Sequence, residues 1–346
     1  MDTKRKVIID CDPGIDDMFA LILCIRHLDV RGIVAVGGNT GLEYTQRNAR
    51  FATELTGRPD IPVYAGYDMP MLNQLVRATE VHGSGGIGDI EIREPEKKLE
   101  KEHGADFLIR TFMENDDISL ITLGPLTNVA QAILKEPELK KRIPEILCMG
   151  GSATSGNATP AAEFNILVDP EAAKIVFESG IPIKMAGLNL TRQNHMDMAD
   201  VEQLRAIGGT VGDFAADILE FSVKNSDFTS ICDACAVAWW VDDRVITKSI
   251  RTQVDVETKG EFTRGMTVCD WRDFMGTDPE QEISREKCWN KYKTSGNVEV
   301  AMEFDQKRFR EVLFDTVRSY KEMNWLRNRA GSRFQAIGPV RPGLFL

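Results

Sequence analysis

Four aspartates, Asp10, Asp12, Asp16 and Asp17, fall within eight residues in the run Asp10-Cys11-Asp12-Pro13-Gly14-Ile15-Asp16-Asp17. Carboxylates packed this closely repel one another and lose solvation, so they need a cation to neutralise them. A hard divalent ion such as calcium or magnesium takes oxygen ligands of this kind. Pro13-Gly14 makes a tight turn between the two pairs, which leaves Asp16 and Asp17 in the first turn of a helix. Helix capping is the plainer reading, because an Asp at a helix start satisfies free N–H groups and suits the dipole. Capping accounts for one or two of these residues and leaves the others unexplained. A D-x-D after a first strand also suits a magnesium-dependent phosphohydrolase. That alternative stands second, because a Pro-Gly turn and an Asp pair follow here and no Lys or Arg stands in a matching place to hold phosphate.

The elements that must carry these residues alternate. Val7-Ile8-Ile9 reads as a buried strand and Asp16 to His27 as the helix after it. Ile33–Val36 is a second strand, followed by a helix from Tyr44 to Leu55, and Ile61–Tyr64 is a third. Further strands are expected at Ile118–Thr122, Glu145–Met149 and Ile183–Met185, with helices near 104–115, 125–135 and 170–178. Strands that are apolar throughout and separated by helices predict an α/β fold: an open, mostly parallel, Rossmann-like sheet with helices on both faces. Ligands of such sheets bind outside the carboxyl ends of the strands. Residues 68–103 form a long connection containing His82-Gly83-Ser84-Gly85-Gly86-Ile87-Gly88, of a length expected of a functional or disordered loop. Residues 198–246 read as mainly helical, 250–302 have strand character around a charged insert, and 305–320 are helical. Residues 1–325 are expected to form one catalytic domain and 326–346 a tail, since Gly, Pro and Arg dominate from Gly331 onward.

Composition narrows the partners. A net charge of -11 argues against nucleic acid or an anionic membrane as the main partner. No apolar run approaches the roughly eighteen residues of a membrane span, and the N-terminal segment lacks a leader's apolar stretch, so a cytoplasmic location is expected. The seven cysteines are mostly scattered and suggest no disulfide framework. Cys232 and Cys235 form a C-x-x-C that lies late, beside Asp233, in an apolar helix. A redox motif would follow an early strand, and a zinc site would need further ligands that Cys269 and Cys288 are not spaced to supply.

Val7 to Asp17 resembles the N-terminal signature of the inosine-uridine-type nucleoside hydrolases. Gly37-Gly38-Asn39, His82-Gly83, Leu123-Gly124-Pro125-Leu126-Thr127-Asn128 and Met149-Gly150-Gly151 follow in the order expected of that family. So does Gly156-Asn157-Ala158-Thr159-Pro160-Ala161-Ala162-Glu163-Phe164-Asn165, and the resemblance covers roughly residues 5–320. It implies calcium-dependent hydrolysis of the N-glycosidic bond of a ribonucleoside, giving free base and ribose. Asp12 would be the general base and a metal ligand, with Asp17, the Leu123 carbonyl and Asp233 completing the calcium shell. Asp10 would sit behind the site and orient the loop. Asp16, Asn39, Asn157, Glu163 and Asn165 would hold the ribose, whose hydroxyls both donate and accept, and Met149 and Phe164 would line its apolar side. The same resemblance implies a small nucleoside substrate, a role in base salvage, and a homodimer or homotetramer.

Taken one at a time, most of these residues have plainer explanations. Asn39 and Asn157 each follow glycine and suit turns, Met149 suits a core, and His82 suits a surface loop; the ordered set is what raises them above those readings. The family usually carries a His-Asp pair late in the chain. Here Asp233 takes the metal-ligand place and Cys232 stands where the histidine is expected, as in a subset of the family. A free thiol has a pKa of about 8.5 and is a weak donor, so proton donation to the leaving base falls to Cys232, to His82 or to solvent. A pocket that binds a ribosyl ligand without turning it over is a further alternative, which the presence of a base at Asp12 disfavours. Contacts to the nucleobase are expected from residues 68–103 and from the helices near 210–245. Trp239 and Trp240 read as core, while Trp271 follows a strand and could approach the pocket.

Overall fold

β1 (Lys6–Cys11) lies within an eight-stranded sheet and is buried from Val7 to Cys11. Successive strand side chains point to opposite faces, so Val7, Ile9 and Cys11 enter one core while Ile8 enters the other. The computed structural model describes residues 4–224, 226–272 and 296–329. Of the tail expected at 326–346, residues 326–329 are helical and 330–346 lie outside the described residues, as do Cys288 and the part of the charged insert at 273–295.

From β1 the chain runs through α1 (Ile15–His27), β2 (Asp29–Ala35), α2 (Leu42–Leu55), β3 (Val63–Ala65), the one-turn α3 (Thr79–His82) and α4 (Gly104–Glu114). β4 (Ile118–Thr122), α5 (Thr127–Lys135), α6 (Leu139–Arg142), β5 (Ile146–Met149), α7 (Phe164–Val168), α8 (Pro170–Phe177) and β6 (Ile183–Ala186) follow. Next come α9 (Leu188–Thr191), α10 (Met198–Ile207), α11 (Gly209–Val223), α12 (Cys232–Val241) and β7 (Ile246–Thr252). The hairpin of β8 (Val254–Val256) and β9 (Thr267–Cys269), then β10 (Val298–Phe304) and α13 (Gln306–Arg329), complete the described chain.

The sheet order is β3-β2-β1-β4-β5-β6-β10-β7, parallel except for β7, which pairs antiparallel with β10. One face is covered by α1, α2 and the helical layer α10 to α13, the other by α4, α5 and α8. This is the α/β architecture the alternation predicts. Strand order reverses between β1 and β4, and in open α/β sheets a crevice forms at such a switch point. The loops that leave β1, β2, β4 and β5 carry Asp12, Asn39, Leu123 and Gly150, with Met149 ending β5.

Two differences from the sequence expectation have physical causes. β7 begins inside the stretch read as helical and presents Thr247, Lys248, Ser249 and Arg251 to solvent. It is an edge strand, so it lacks a buried strand's apolar run; charged edges also block unwanted pairing. α3, α7 and α9 are too short to leave a helical period in the sequence. The connection at 68–103 contains α3 and is otherwise irregular.

Candidate active site

The turn after β1 seats Asp12 where a side chain fits only between glycines. A Cβ at Gly38 would stand 2.0 Å from Asp12 Oδ2, and one at Gly124 would stand 2.4 Å from Oδ1. The Asn39 N–H donates to Oδ2 at 2.7 Å, and Asn39 Nδ2 donates to the Asp12 carbonyl at 3.1 Å and to Asp17 Oδ2 at 3.1 Å. Asn39 therefore fixes the carboxylates and also lines the cleft. Asp10, one residue inside the strand end, accepts from Asn128 Nδ2 at 2.8 Å, and Asn128 accepts from the Tyr67 N–H at 2.8 Å. Burial pushes the Asp10 carboxyl up to about 8.

Capping and metal chemistry meet at the start of α1. Asp17 Oδ2 accepts from the N–H of Gly14, the N-cap residue of α1, at 2.9 Å, while its Oδ1 has no partner. α1 packs beside α12, which brings Asp233, in the first turn of α12, against this helix start. One carboxylate oxygen from each of Asp16, Asp17 and Asp233 lies within 4.8 Å of the other two. Asp12 Oδ1, Asp16 Oδ1, Asp17 Oδ1 and Asp233 Oδ1 are all buried without a hydrogen-bond partner. Desolvation raises the pKa of Asp12, Asp17 and Asp233, and mutual repulsion among the aspartates adds to it. Orphaned buried oxygens of one sign are costly unless a cation answers them, so the donor set fits a hard divalent ion. The Leu123 carbonyl accepts from Asn165 Nδ2 at 2.8 Å, which leaves a lone pair for a further contact.

Above this cluster opens a cleft of about 190 Å³. Asp16, Asn157, Glu163 and Asn165 supply its polar lining, with Met149 and Phe164 on the apolar side. Glu163 caps α7: it accepts from the N–H groups of Asn165 at 3.0 Å, Ile166 at 3.2 Å and Gly151 at 2.9 Å. Burial nevertheless lifts it to about 7. Asn157 Oδ1 accepts from the Phe164 N–H at 3.0 Å, which ties its loop to the same helix start.

His82 and Cys232 line the cleft beside Ala78 and Val81, two residues of the 68–103 connection that nothing in the sequence singles out. Ala158 also lines it. Being small and apolar, with Ala78 and Ala158 in irregular segments and Val81 in the one-turn α3, the three carry no signal beyond their place in these connections. The Ile15 N–H donates to His82 Nδ1 at 3.1 Å, and burial lowers the pKa of the ring. The Cys232 thiol lies 3.5 Å from Ser230 Oγ, and burial, with Asp16 adding to it, pushes it up to about 12. Cys235 is buried in the core of α12, so the C-x-x-C is packing rather than a surface motif. Trp239 and Trp240 lie under Lys184 and Arg5, each 4.3 Å from the ring, and Trp271 packs with the β4–β6 core; none of the three lines the cleft.

A carboxylate cluster at the carboxyl ends of a parallel sheet, roofed by amide and carboxylate side chains, defines an α/β enzyme with a metal site. The sequence profile of the inosine-uridine preferring nucleoside hydrolases matches residues 7–311. The chain belongs to this family and is a ribonucleoside hydrolase. It is 39% identical over 287 residues to a pyrimidine-specific ribonucleoside hydrolase, RihA, of Salmonella enteritidis, covering 80% of this chain and 92% of that one. Among solved structures, a purine-preferring ribonucleoside hydrolase from Gardnerella vaginalis superposes with a TM-score of 0.81 at 30% identity, over 92% of this chain and 99% of that one. An inosine-guanosine nucleoside hydrolase gives 0.80 at 28%, over 90% and 98%. Among the described residues, no helix is long and apolar enough to cross a membrane.

Proposed function

We propose that the chain hydrolyses the N-glycosidic bond of ribonucleosides with calcium as its ion and Asp12 as general base. The observation that carries this reading is the set of unpartnered carboxylate oxygens on Asp12, Asp16, Asp17 and Asp233 beneath one cleft. Calcium suits it better than magnesium, because calcium accepts a shell of many protein oxygens whereas magnesium usually keeps several waters. A bound ion of this type supplies charge neutralisation and makes a water more acidic. Asp12 has a free Oδ1 and an anchored Oδ2, the arrangement of a carboxylate that takes a proton without moving. Asp16, Asn157, Glu163 and Asn165 hold the sugar, and nearby carboxylates favour the positive charge that develops on it. Asp16 also stands with Asp17 and Asp233 in the cluster, so it joins the sugar side to the metal side.

Two hydrogen bonds divide the leaving-group work. Ser230 Oγ donates its one proton to the Thr191 carbonyl at 2.7 Å, so toward Cys232 it accepts, and the thiol proton points at Ser230. His82 accepts at Nδ1, so a neutral ring carries its proton on Nε2. Assistance to the departing base is therefore assigned to His82 as a hydrogen-bond donor through Nε2, with solvent supplying the proton and Cys232 as a wall of the pocket.

A phosphate-handling reading lacks a cation: among the described residues lining the cleft none is Lys or Arg, while three are carboxylates. Relatives named for pyrimidine specificity and structures named for purine preference both align, so the test must span both bases. Protein stripped with chelator and restored with calcium or magnesium is assayed for ribose release from purine and pyrimidine nucleosides, and for phosphate release from nucleotides. Calcium-restored ribose release is expected. Its absence on every nucleoside sinks the proposal.

A further inference from the structure

We propose that Arg192 is a positioning residue that sets Asn157 over the sugar, a role that rests on the ribose reading of the cleft. Arg192 Nη1 donates to Ser155 Oγ at 2.7 Å and to the Ser155 carbonyl at 3.2 Å, and Nη2 donates to the Gly156 carbonyl at 2.6 Å. The next residue is Asn157. Among the described residues no carboxylate pairs with this guanidinium, and all of its side-chain hydrogen bonds go to two consecutive residues of one loop. A planar fork on two carbonyls fixes direction as well as distance.

The loop is tight where Arg192 grips it. A Cβ at Gly156 would stand 2.2 Å from the Ala162 carbonyl, which itself accepts from the Asn157 N–H at 3.1 Å. The far end of the clamp is equally fixed. The Leu188 N–H donates to the Gly151 carbonyl at 2.9 Å, and Asn189 accepts from the Ala153 N–H at 3.0 Å while donating to the Ala301 carbonyl at 2.8 Å. Gln193, just past Arg192, donates to the Met302 carbonyl at 2.8 Å. The short α9 is thus bolted to β10, and Arg192 reaches from its end to hold the Asn157 loop. Arg192 is itself exposed, so its removal leaves the core intact.

The test compares wild type, R192A, R192K, N157A and the double variant R192A/N157A, each with calcium. A group that aids substrate and transition state alike raises KM when lost and leaves kcat in place. R192A is expected to raise KM for ribonucleosides about tenfold, the worth of roughly one good hydrogen bond, with kcat and Tm nearly unchanged. R192K recovers part of the loss. Because Arg192 acts through Asn157, the double variant should match N157A alone rather than add to it. Calorimetric binding of ribose gives the same comparison without turnover. An unchanged KM and ribose affinity in R192A, or full additivity in the double variant, overturns the proposal. A wild type that binds ribose but releases none overturns the hydrolase reading and leaves the Arg192 comparison readable; one that does not bind ribose overturns both.

Discussion

The two walls of the cleft are built differently. On the carboxylate wall Asp12, Asp17 and Asp233 are almost wholly buried; Asp12 is seated against Gly38 and Gly124, and Asp12 and Asp17 are held by backbone N–H groups and Asn39. On the opposite wall, the base wall of the hydrolase proposal, Val81 is 63% exposed and stands in the one-turn α3 of the long 68–103 connection, beside Ala78. The difference separates chemistry from selection. A proton transfer demands fixed geometry and tolerates little displacement, whereas a flat base is gripped by apolar contact that a loop supplies at little structural cost. The carboxylate wall is therefore the place where one atom matters, and the base wall the place where substitutions trade one preference for another.

The comparison is most directly broken at Asp12. Asp12→Asn keeps the shape and removes the base, and ribose release should fall about a thousandfold, within the range for a lost general base. Gly124→Ala should do comparable damage without touching any functional group, because its methyl would stand 2.4 Å from Asp12 Oδ1. Steady-state kinetics on both variants, with folding checked by circular dichroism, decides the matter. A Gly124→Ala enzyme near wild-type activity would show that the seat is looser than described.

The next effect tests the division between His82 and Cys232. His82→Gln should lower kcat about a hundredfold, the scale of a lost aligned hydrogen bond to the charge that develops on the leaving base. Cys232→Ala should cost less than about fivefold, since the thiol proton already serves Ser230. A substrate whose base leaves without protonation should narrow the gap for His82→Gln. If Cys232→Ala proves the more damaging, the hydrogen-bond direction assigned here is reversed.

Stability separates the walls in a third way. Burial raises Glu163 to about 7 and Asp10 to about 8, and it raises Asp12, Asp17 and Asp233 too. A carboxyl whose folded pKa exceeds its unfolded value holds its proton more tightly when folded, so folding is favoured at low pH and loses that support as pH rises through the folded pKa. Metal-free protein should therefore lose stability between about pH 4 and pH 8. Calcium, taking the place of the protons on Asp12, Asp17 and Asp233, should reduce the loss and release protons on binding, leaving the part due to Asp10 and Glu163. Thermal melts across pH with chelator and with calcium read the first effect, and calorimetry in buffers of different ionisation enthalpy reads the second. Metal-free melting temperatures that climb over this window would contradict the account.

The carboxylate wall was also the more legible one in the sequence. Asp10 to Asp17 are contiguous, and a strand, a turn and a helix start place them without long-range information. Parity along β1 even separates Asp10, on the Ile8 side facing Asn128, from the Cys11 side. What the sequence could not convey is distance across the sheet. Asp16 reads as a sugar ligand, and only the packing of α1 on α12 brings it within 4.8 Å of Asp233. Gly38 and Gly124 stand in the matched stretches with no role of their own in the sequence, while in the structure they leave room for Asp12. Ala78 and Val81 have no chemistry to notice, and Arg192 looks like any surface cation until its carbonyl partners are seen.

The smallest effect belongs to the base wall and sharpens the contrast. Val81→Ala removes two methyl groups from a side chain that is already mostly exposed, so the lost contact is a fraction of the roughly 1.5–3 kcal/mol of a fully buried valine. KM should change by about threefold or less, and by different factors for purine and pyrimidine nucleosides, because the two rings reach the loop differently. Calcium affinity and kcat should stay put, since the Val81 side chain has no polar group to offer the ion or the sugar. A purine-to-pyrimidine KM ratio identical to wild type would mean that the base does not rest on this side chain. Selection would then fall to Ala78, His82 and Cys232, and the division between a fixed chemical wall and a variable selective one would narrow to residues that the chemistry also uses.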